Sequence, residues 1–265
     1  MYLLKKILPL FILVIFTQSI YAKEKQQLLF YIGITMIKPV TELVRNFEKQ
    51  NNCQIKILQG GSQDLYESIA SSKKGDIYLP GSLSYRKKNI KEGLLLDGKF
   101  VGYNKLAIIV KKGNPKNISA DLNELTKETN RVVLGNEYSG SVGNATKKLL
   151  KKFGNYEEAI LNTISLASDS RNLTKSIIRD EADIIINWYA TTFWETNKDH
   201  VEALIIDEKY AKKAKLVFNL LKTSDNIELS RKFLEYAASQ EGRKVFYKYG
   251  FLDKNDLKNF DKVTF

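Results

Sequence analysis

The sequence predicts an α/β protein of two lobes, each a mixed sheet flanked by helices, with a ligand cleft between the lobes. Apolar segments of strand length alternate with helical patterns along the chain. Neither a low-complexity linker nor a repeat of solenoid period interrupts this alternation. A length of 265 residues accommodates two such lobes, and we expect crossing strands near residues 102–106 and 216–220 to join them.

The first part of the chain predicts a parallel sheet with helices on both faces, over residues 28–79. Residues 26–32 form an apolar strand, residues 54–58 alternate polar with apolar side chains, and residues 76–80 form a third strand. A helix with one apolar face separates the first two strands, and a second helix starting at Ser62 separates the next two. The apolar face of the first helix consists of Val40, Leu43, Val44 and Phe47.

The rest of the chain continues the alternation. Residues 101–105 lead into a strand as a connection, and the chain is helical from Asn226 onward. The polar tail beyond Leu252 is expected to dock loosely. Further strands are predicted at residues 106–110, 132–135, 164–167, 182–188, 201–207 and 216–221. Further helices are predicted at residues 84–92, 122–126, 145–153, 156–161 and 172–179.

The N-terminus has the pattern of a signal peptide over residues 1–22. Lys5 and Lys6 precede an apolar run at residues 7–16, and Ala22 suits the last position before cleavage. The run is short for a membrane span, although an uncleaved anchor stays an alternative. We therefore expect a periplasmic protein. Cys53 is the only cysteine, so no internal disulfide can form.

The chain is basic, with 42 Lys and Arg against 30 Asp and Glu. Such an excess suits nucleic acid, an anionic membrane or a small anionic ligand, or it is only a solvated lysine-rich surface. The lysines are scattered, no aromatic-basic motif accompanies them, and export argues against nucleic acid. A small anionic ligand is therefore the predicted partner.

The sequence indicates no catalytic residues, no metal ligands and no cofactor. The only histidine, His200, follows Asn197-Lys198-Asp199 in a polar turn, far from a Ser-His or Cys-His pattern. The glycine-rich segment 138–143 lacks the Gly-Lys-Ser/Thr of a phosphate-binding loop. We therefore predict a protein that is not an enzyme, and keep an exported serine hydrolase as the alternative.

Four strand-to-helix junctions carry hydroxyl groups and free backbone N–H groups. They lie at Thr35, at Gly60-Gly61-Ser62, at residues 139–143 and at residues 168–171. In open α/β sheets such junctions lie at the carboxyl edge, where ligands bind. Helix N-termini that converge there hold an anion with neutral donors, and each bond to a charged acceptor contributes roughly 1.5–3 kcal/mol. The simpler alternative is that Ser62 only caps its helix.

Several motifs together resemble the molybdate/tungstate-binding type of periplasmic solute-binding protein of an ABC importer, the type II fold. The terminal segment, SQEGRKVFYKYGF, is the most specific of them. The resemblance covers nearly the whole mature chain. The matching segments are Gly33-Ile34-Thr35, Gly60-Gly61-Ser62, and residues 75–82, 103–115, 138–143, 182–186 and 239–251.

The resemblance implies one lobe of residues 23–103 and 217–265, a second lobe of residues 104–216, and closure of both on an oxyanion. It also implies a membrane permease as partner, and we expect a monomer. The implied ligand-binding residues are Thr35, Gly61, Ser62, Ser139, Gly140, Ser141, Val142, Ser170, Arg171, Trp188 and Tyr189.

The sequence departs from this family pattern at three places. Ile34-Thr35-Met36 stands where molybdate binders have Ala-Ser, Trp188 or Tyr189 stands where a tyrosine often binds, and Arg171 adds a positive charge. Alternative ligands are therefore phosphate, a phosphate ester or phosphonate, or a small organic acid, and a surface antigen is a further alternative. Tyr85 and Arg86 are additional candidates for the cleft.

Overall fold

Two five-stranded sheets form the framework of the protein. The computed structural model describes residues 24–265, so the predicted signal peptide and its cleavage point lie outside the described residues. No helix within residues 24–265 is long and apolar enough to cross a membrane. The architecture is α/β with helices flanking both sheets, as predicted.

The first sheet contains five strands in the order β2-β1-β3-β10-β4. The strands β1, β2 and β3 are parallel, which confirms the prediction for residues 28–79, and β10 runs antiparallel to β3 and β4. The bounds are β1 Gln26–Gly33, β2 Cys53–Gly60, β3 Ile77–Leu79, β4 Leu95–Asn104 and β10 Ala214–Leu221.

The second sheet has the order β7-β6-β8-β5-β9. The strands β6, β7 and β8 are parallel, while β5 pairs antiparallel with β8 and β9. The bounds are β5 Leu106–Lys111, β6 Val132–Gly135, β7 Thr163–Ala167, β8 Ile184–Trp188 and β9 Val201–Leu204.

Helices cover the sheets and begin at recognisable caps. Asp169 accepts hydrogen bonds from the N–H groups of Arg171 and Asn172 and so starts α6, and Ser239 starts α8. The α-helices are α1 Ile37–Gln50, α2 Ser62–Ser72, α3 Leu83–Asn89, α4 Ser141–Phe153, α5 Tyr156–Leu161, α6 Ser170–Ile178, α7 Ile227–Ala238, α8 Gln240–Lys248 and α9 Lys254–Lys258. Short 3-10 helices lie at Ile34–Met36, Ile90–Glu92, Leu122–Thr126, Tyr189–Phe193 and Phe260–Lys262.

Each sheet packs its own core. Around the first sheet, Phe233 of α7 contacts the rings of Phe30, Phe47 and Phe218 at centroid distances of 4.7, 5.2 and 5.7 Å. The second core is mainly aliphatic, built on the central strands β5, β6 and β8. The predicted division into lobes at residues 23–103 with 217–265, and 104–216, stays a prediction.

Two connections join the sheets, and one differs from the prediction. The chain leaves β4 at Asn104 and enters β5 at Leu106, so Lys105 alone separates them, as expected near residues 102–106. The return path runs through residues 205–213 and ends where β10 begins, so residues 216–220 lie inside the first sheet. The prediction of a crossing at residues 216–220 is therefore wrong, because the strand there pairs with β3 and β4 along its length.

Two other expectations are wrong. Residues 101–104, expected to be a connection that leads into β5, are the end of the ten-residue strand β4. The tail beyond Leu252 is firmly docked, since Phe260 is buried and its ring lies 3.9 Å from the Arg243 guanidinium. Lys213 bonds Asp253 at 2.8 Å and Asp256 at 2.9 Å, which fixes the start of α9.

Candidate functional site

Residues from four strand ends meet in one small cavity between the two sheets, here called the oxyanion cavity. β1 leads to Thr35 and β2 to Ser62, while β6 leads to Ser141 and β7 to Ser170. This is the carboxyl edge of both parallel regions. The lining residues are Gly33, Ile34, Thr35, Met36, Gly60, Gly61, Ser62, Gly81, Gly140, Ser141, Val142, Asp169 and Ser170.

The oxyanion cavity is small and has no cationic lining residue. Its volume is about 20 Å³, close to the roughly 10–15 Å³ that one water needs. In this arrangement it has room for about one water and excludes an organic chain, so a tetrahedral anion enters only when the walls move apart slightly. Its hydroxyl and amide donors are neutral, which suits an anion held by hydrogen bonds alone.

Ser62 is held so that its hydroxyl proton stays available. Its oxygen accepts a hydrogen bond from the Gly81 N–H at 3.0 Å, and its carbonyl oxygen accepts one from the Tyr78 hydroxyl at 2.6 Å. Burial raises the pKa of Tyr78 well above its usual value, so this hydroxyl remains a donor. Ser62 is only 2% exposed, and its remaining donor can go to a ligand.

Two helix N-termini at the cavity have no side-chain cap. Gly61 precedes α2 and Gly140 precedes α4, and neither helix receives a side-chain capping bond. The first N–H groups of such helices lack intrahelical acceptors and favour an anion. In α6, by contrast, Asp169 already accepts from the Arg171 N–H at 2.7 Å and the Asn172 N–H at 3.0 Å. The N-termini of α2 and α4 therefore have more N–H groups available to an anion than the N-terminus of α6 has.

The two sides of the cavity touch through glycines. A Cβ at Gly61 would overlap the backbone carbonyl oxygen of Ser139, and a Cβ at Gly81 would overlap the Ser141 hydroxyl. Gly61 and Gly81 belong to the first sheet's side, whereas Ser139 and Ser141 follow β6 in the second. The two sides of the cavity are therefore closed against each other, and this contact is possible only because Gly61 and Gly81 have no side chain.

Seven of the eleven residues predicted for the site line the oxyanion cavity, and four lie elsewhere. The Ser139 hydroxyl donates to the Ser168 carbonyl oxygen at 2.9 Å. Arg171 lines a separate cavity with Lys38 and Lys175. Trp188 and Tyr189 line two other cavities, of about 360 and 760 Å³. The roles of these four residues stay predictions.

The two additional candidates for the cleft, Tyr85 and Arg86, lie in different places. Tyr85 lines the cavity of about 360 Å³ together with Trp188. Arg86 points away from both, because its guanidinium donates to the Asn219 side-chain oxygen at 2.7 Å.

Six residues of the cavity wall are not among the predicted ligand-binding residues. Gly33, Ile34, Met36 and Gly60 lie beside predicted ones, whereas Gly81 and Asp169 were given no role. Gly81 follows β3, so the sequence feature that could have predicted it is a glycine after the end of a fifth strand. Asp169 lies inside the recognised junction at residues 168–171, yet it was not assigned a role. Within residues 24–265 no group of three or more His, Cys, Asp or Glu side chains is arranged to hold a metal ion.

A family model described as "Bacterial extracellular solute-binding protein" matches residues 28–252. Among curated proteins, a "Putative binding protein" of Haemophilus influenzae is 20% identical over 249 residues, which cover 94% of this chain and 99% of that protein.

Solved structures share the fold. The periplasmic molybdate-binding protein of Azotobacter vinelandii matches with a TM-score of 0.74 and 14% identity, over 85% of this chain and 99% of that one. PEB3 of Campylobacter jejuni, in a crystal structure with L-phospholactate, matches with a TM-score of 0.67 and 18% identity, again over 85% and 99% of the two chains.

Proposed function

Because the chain belongs to the bacterial extracellular solute-binding protein family, we propose that it captures a small oxyanion of the molybdate or tungstate kind and delivers it to the permease of an ABC importer. In this proposal it carries out no chemistry of its own. The signal peptide over residues 1–22, a periplasmic location and a monomeric state are parts of the same proposal.

One observation carries the proposal. Four residues with hydroxyl side chains, from four distant segments, line one cavity at the carboxyl edges of both sheets: Thr35, Ser62, Ser141 and Ser170. Hydrogen bonds to a charged acceptor contribute about 1.5–3 kcal/mol each. These values already include the hydration that donor and acceptor lose, so three or four such bonds together hold a buried anion.

Release of the ligand requires opening. Within residues 24–265, the chain passes between the sheets at two places, the connections at Lys105 and at residues 205–213. Rotation about such connections is the hinge motion of binding proteins. Opening separates Gly61 from Ser139 and exposes the oxyanion cavity.

The experiment is calorimetry on the mature chain with molybdate, tungstate, sulfate and phosphate. We expect at least one of these anions to bind, and both Thr35→Ala and Ser62→Ala to weaken it. Ser71→Ala is the matched control, since Ser71 lies in α2 but its hydroxyl bonds the Ser68 carbonyl oxygen on the exposed surface. If none of the four anions binds at millimolar concentration, the proposal fails.

A second candidate is an organic phosphate. Structural neighbours include a molybdate-binding protein and a protein with bound L-phospholactate. The specific observation in its favour is the cavity of about 360 Å³ that shares Ser141 with the oxyanion cavity.

A further inference from the structure

A larger cavity adjoins the oxyanion cavity at Ser141, which lines both. This side cavity has a volume of about 360 Å³, enough for a small organic group. Its polar wall includes Tyr85, Lys148, Trp188 and Lys212. The remaining lining residues are Ser82, Ser84, Leu106, Asn144, Ala145, Leu149, Lys152, Tyr210, Ala211 and Ala214.

The indole N–H of Trp188 lacks an acceptor. Trp188 is 1% exposed, and within residues 24–265 no atom accepts a hydrogen bond from this group. Leaving a buried donor unsatisfied costs about 1–3 kcal/mol. Trp188 lines the side cavity, but its indole nitrogen is itself buried, so a ligand oxygen reaches this donor only after a small movement of the ring.

The charge of the side cavity is positive. Lys148 on α4 and Lys212 in the segment 205–213 have no carboxylate partner within the described part of the chain, and none of the lining residues is Asp or Glu. Burial, with a smaller effect of Asp64, raises the pKa of Tyr85 to about 12, so its hydroxyl stays neutral. With Lys152, whose ammonium donates to the Lys209 carbonyl oxygen, the wall thus offers three cations and neutral donors to an anionic group.

Ser141 is the residue that the two cavities have in common. The Ser141 hydroxyl meets Gly81, which has no side chain, and Ser141 is the first residue of α4. A hydroxyl at this position changes rotamer at small energetic cost.

We propose that the side cavity binds the organic part of a phosphate ester that carries a second anionic group, while its phosphate group occupies the oxyanion cavity. This inference rests on the proposed function, since it keeps the oxyanion cavity as the anchor. Lys148 and Lys212 attract the second charge, and the Trp188 indole donates to one of its oxygens. A bare inorganic anion leaves the side cavity to solvent.

The test compares three phosphates of similar size by calorimetry: phosphoglycolate, ethyl phosphate and phosphoethanolamine, which end in a carboxylate, a methyl group and an ammonium group. We expect phosphoglycolate to bind at least about tenfold more tightly than ethyl phosphate, and phosphoethanolamine to bind most weakly. The double variant Lys148→Gln/Lys212→Gln should strongly reduce this preference, since Lys152 is then the one lysine left in the wall, and leave inorganic phosphate binding unchanged. Trp188→Phe should weaken phosphoglycolate binding.

The control is Lys151→Gln, on the same helix, whose ammonium lies over the Tyr156 ring outside the side cavity. It should keep the preference for phosphoglycolate. If inorganic anions bind but phosphoglycolate gains nothing over ethyl phosphate, the side-cavity proposal alone is overturned. An equal loss for phosphate and phosphoglycolate in the double lysine variant also overturns it. If no inorganic anion binds, the proposed function itself fails.

Discussion

The N–H of Gly81 donates a hydrogen bond to the hydroxyl oxygen of Ser62, at 3.0 Å. The bond ties the end of β3 to the start of α2, and both residues line the oxyanion cavity. Because the hydroxyl oxygen accepts from the backbone, its proton is directed elsewhere. Ser62 therefore has a structural role as acceptor, and in the proposed site it binds the ligand as a donor.

Ser62→Ala should weaken oxyanion binding and also destabilise the protein. Loss of one hydrogen bond to a charged acceptor, about 1.5–3 kcal/mol, corresponds to a fall in affinity of about 10- to 150-fold. The Gly81 N–H is buried and loses its acceptor, so the free energy of unfolding should fall by about 1–3 kcal/mol. Calorimetry measures the first effect and urea unfolding without ligand the second. A stable variant with unchanged affinity would remove Ser62 from the site.

Gly61→Ala should block closure without disturbing the open protein. The backbone of Gly61 has φ −62° and ψ 146°, which alanine adopts freely. Its Cβ would overlap a backbone carbonyl oxygen of Ser139, which cannot rotate away. We expect a large loss of anion affinity together with little change in stability without ligand.

Small-angle scattering measures this closure directly, as a decrease in radius of gyration on adding ligand. The decrease should disappear in Gly61→Ala. Gly60→Ala is the control on the same turn, since its Cβ would meet only the Leu65 side chain, at 3.4 Å. A Gly61→Ala protein that still contracts with ligand would contradict the closed arrangement described here.

The strand ends were predictable because parallel strands bring their carboxyl ends to one edge. Thr35, Ser62, Ser141 and Ser170 each follow such a strand, so sequence position alone implies that they meet. Trp188 ends β8, and the sequence does not reveal that its ring turns toward the side cavity instead.

The strand β4 and the docking of the C-terminal tail could not be predicted from the sequence, for different physical reasons. β4 contains Gly98 and Gly102, which weaken a strand pattern, yet their missing side chains admit the backbone oxygens of Phe218 and Phe251. The sequence of the tail is mostly polar, so it gives no sign of docking. The tail is fixed by one buried ring, Phe260, which stands among charged neighbours in the sequence. Such single long-range contacts leave no periodic signal in the sequence.

Asp169→Asn should strengthen the binding of sulfate and molybdate. Asp169 lines the oxyanion cavity, and its carboxylate repels a dianion although the Arg171 guanidinium lies 3.6 Å from one oxygen. Asparagine also caps helices, so α6 should keep its start. We expect an affinity gain of about tenfold, or ~1.4 kcal/mol.

Comparing phosphate with sulfate tests whether Asp169 contacts the ligand directly or acts only through the overall charge of the protein. It retains a proton at neutral pH that it can donate to a carboxylate, whereas sulfate has none to donate. The gain for phosphate should therefore be smaller than the gain for sulfate. Asp121→Asn is the control, because Asp121 caps the Leu122–Thr126 helix in the same way outside the oxyanion cavity. Equal gains for both anions would show that Asp169 acts only through the overall charge.

Asp183 should stabilise the second sheet in a pH-dependent way. Its side chain is 7% exposed and bonds Lys116 at 2.7 Å and the Arg131 guanidinium at 2.8 Å. Burial alone would raise the pKa of Asp183, but the bonds from Arg131 and Lys116 outweigh it and hold the pKa well below the usual 3.8. A lowered pKa in the folded state means that the stabilisation is complete above pH 3.8 and is lost as the pH falls further.

Asp183→Asn should therefore lower the free energy of unfolding by about 2–3 kcal/mol at pH 7. This value is near the lower end for a broken buried ion pair, because the two partners, Lys116 and Arg131, are partly exposed. The difference from the unchanged protein should be the same at pH 5 and shrink at pH 2, measured by urea unfolding. Asp180→Asn is the matched control, since Asp180 is 64% exposed in its bond to Lys111 and such pairs contribute about 0–1 kcal/mol. An Asp183→Asn deficit that persists undiminished at pH 2 would mean that the carboxylate's charge is not what stabilises the start of β8.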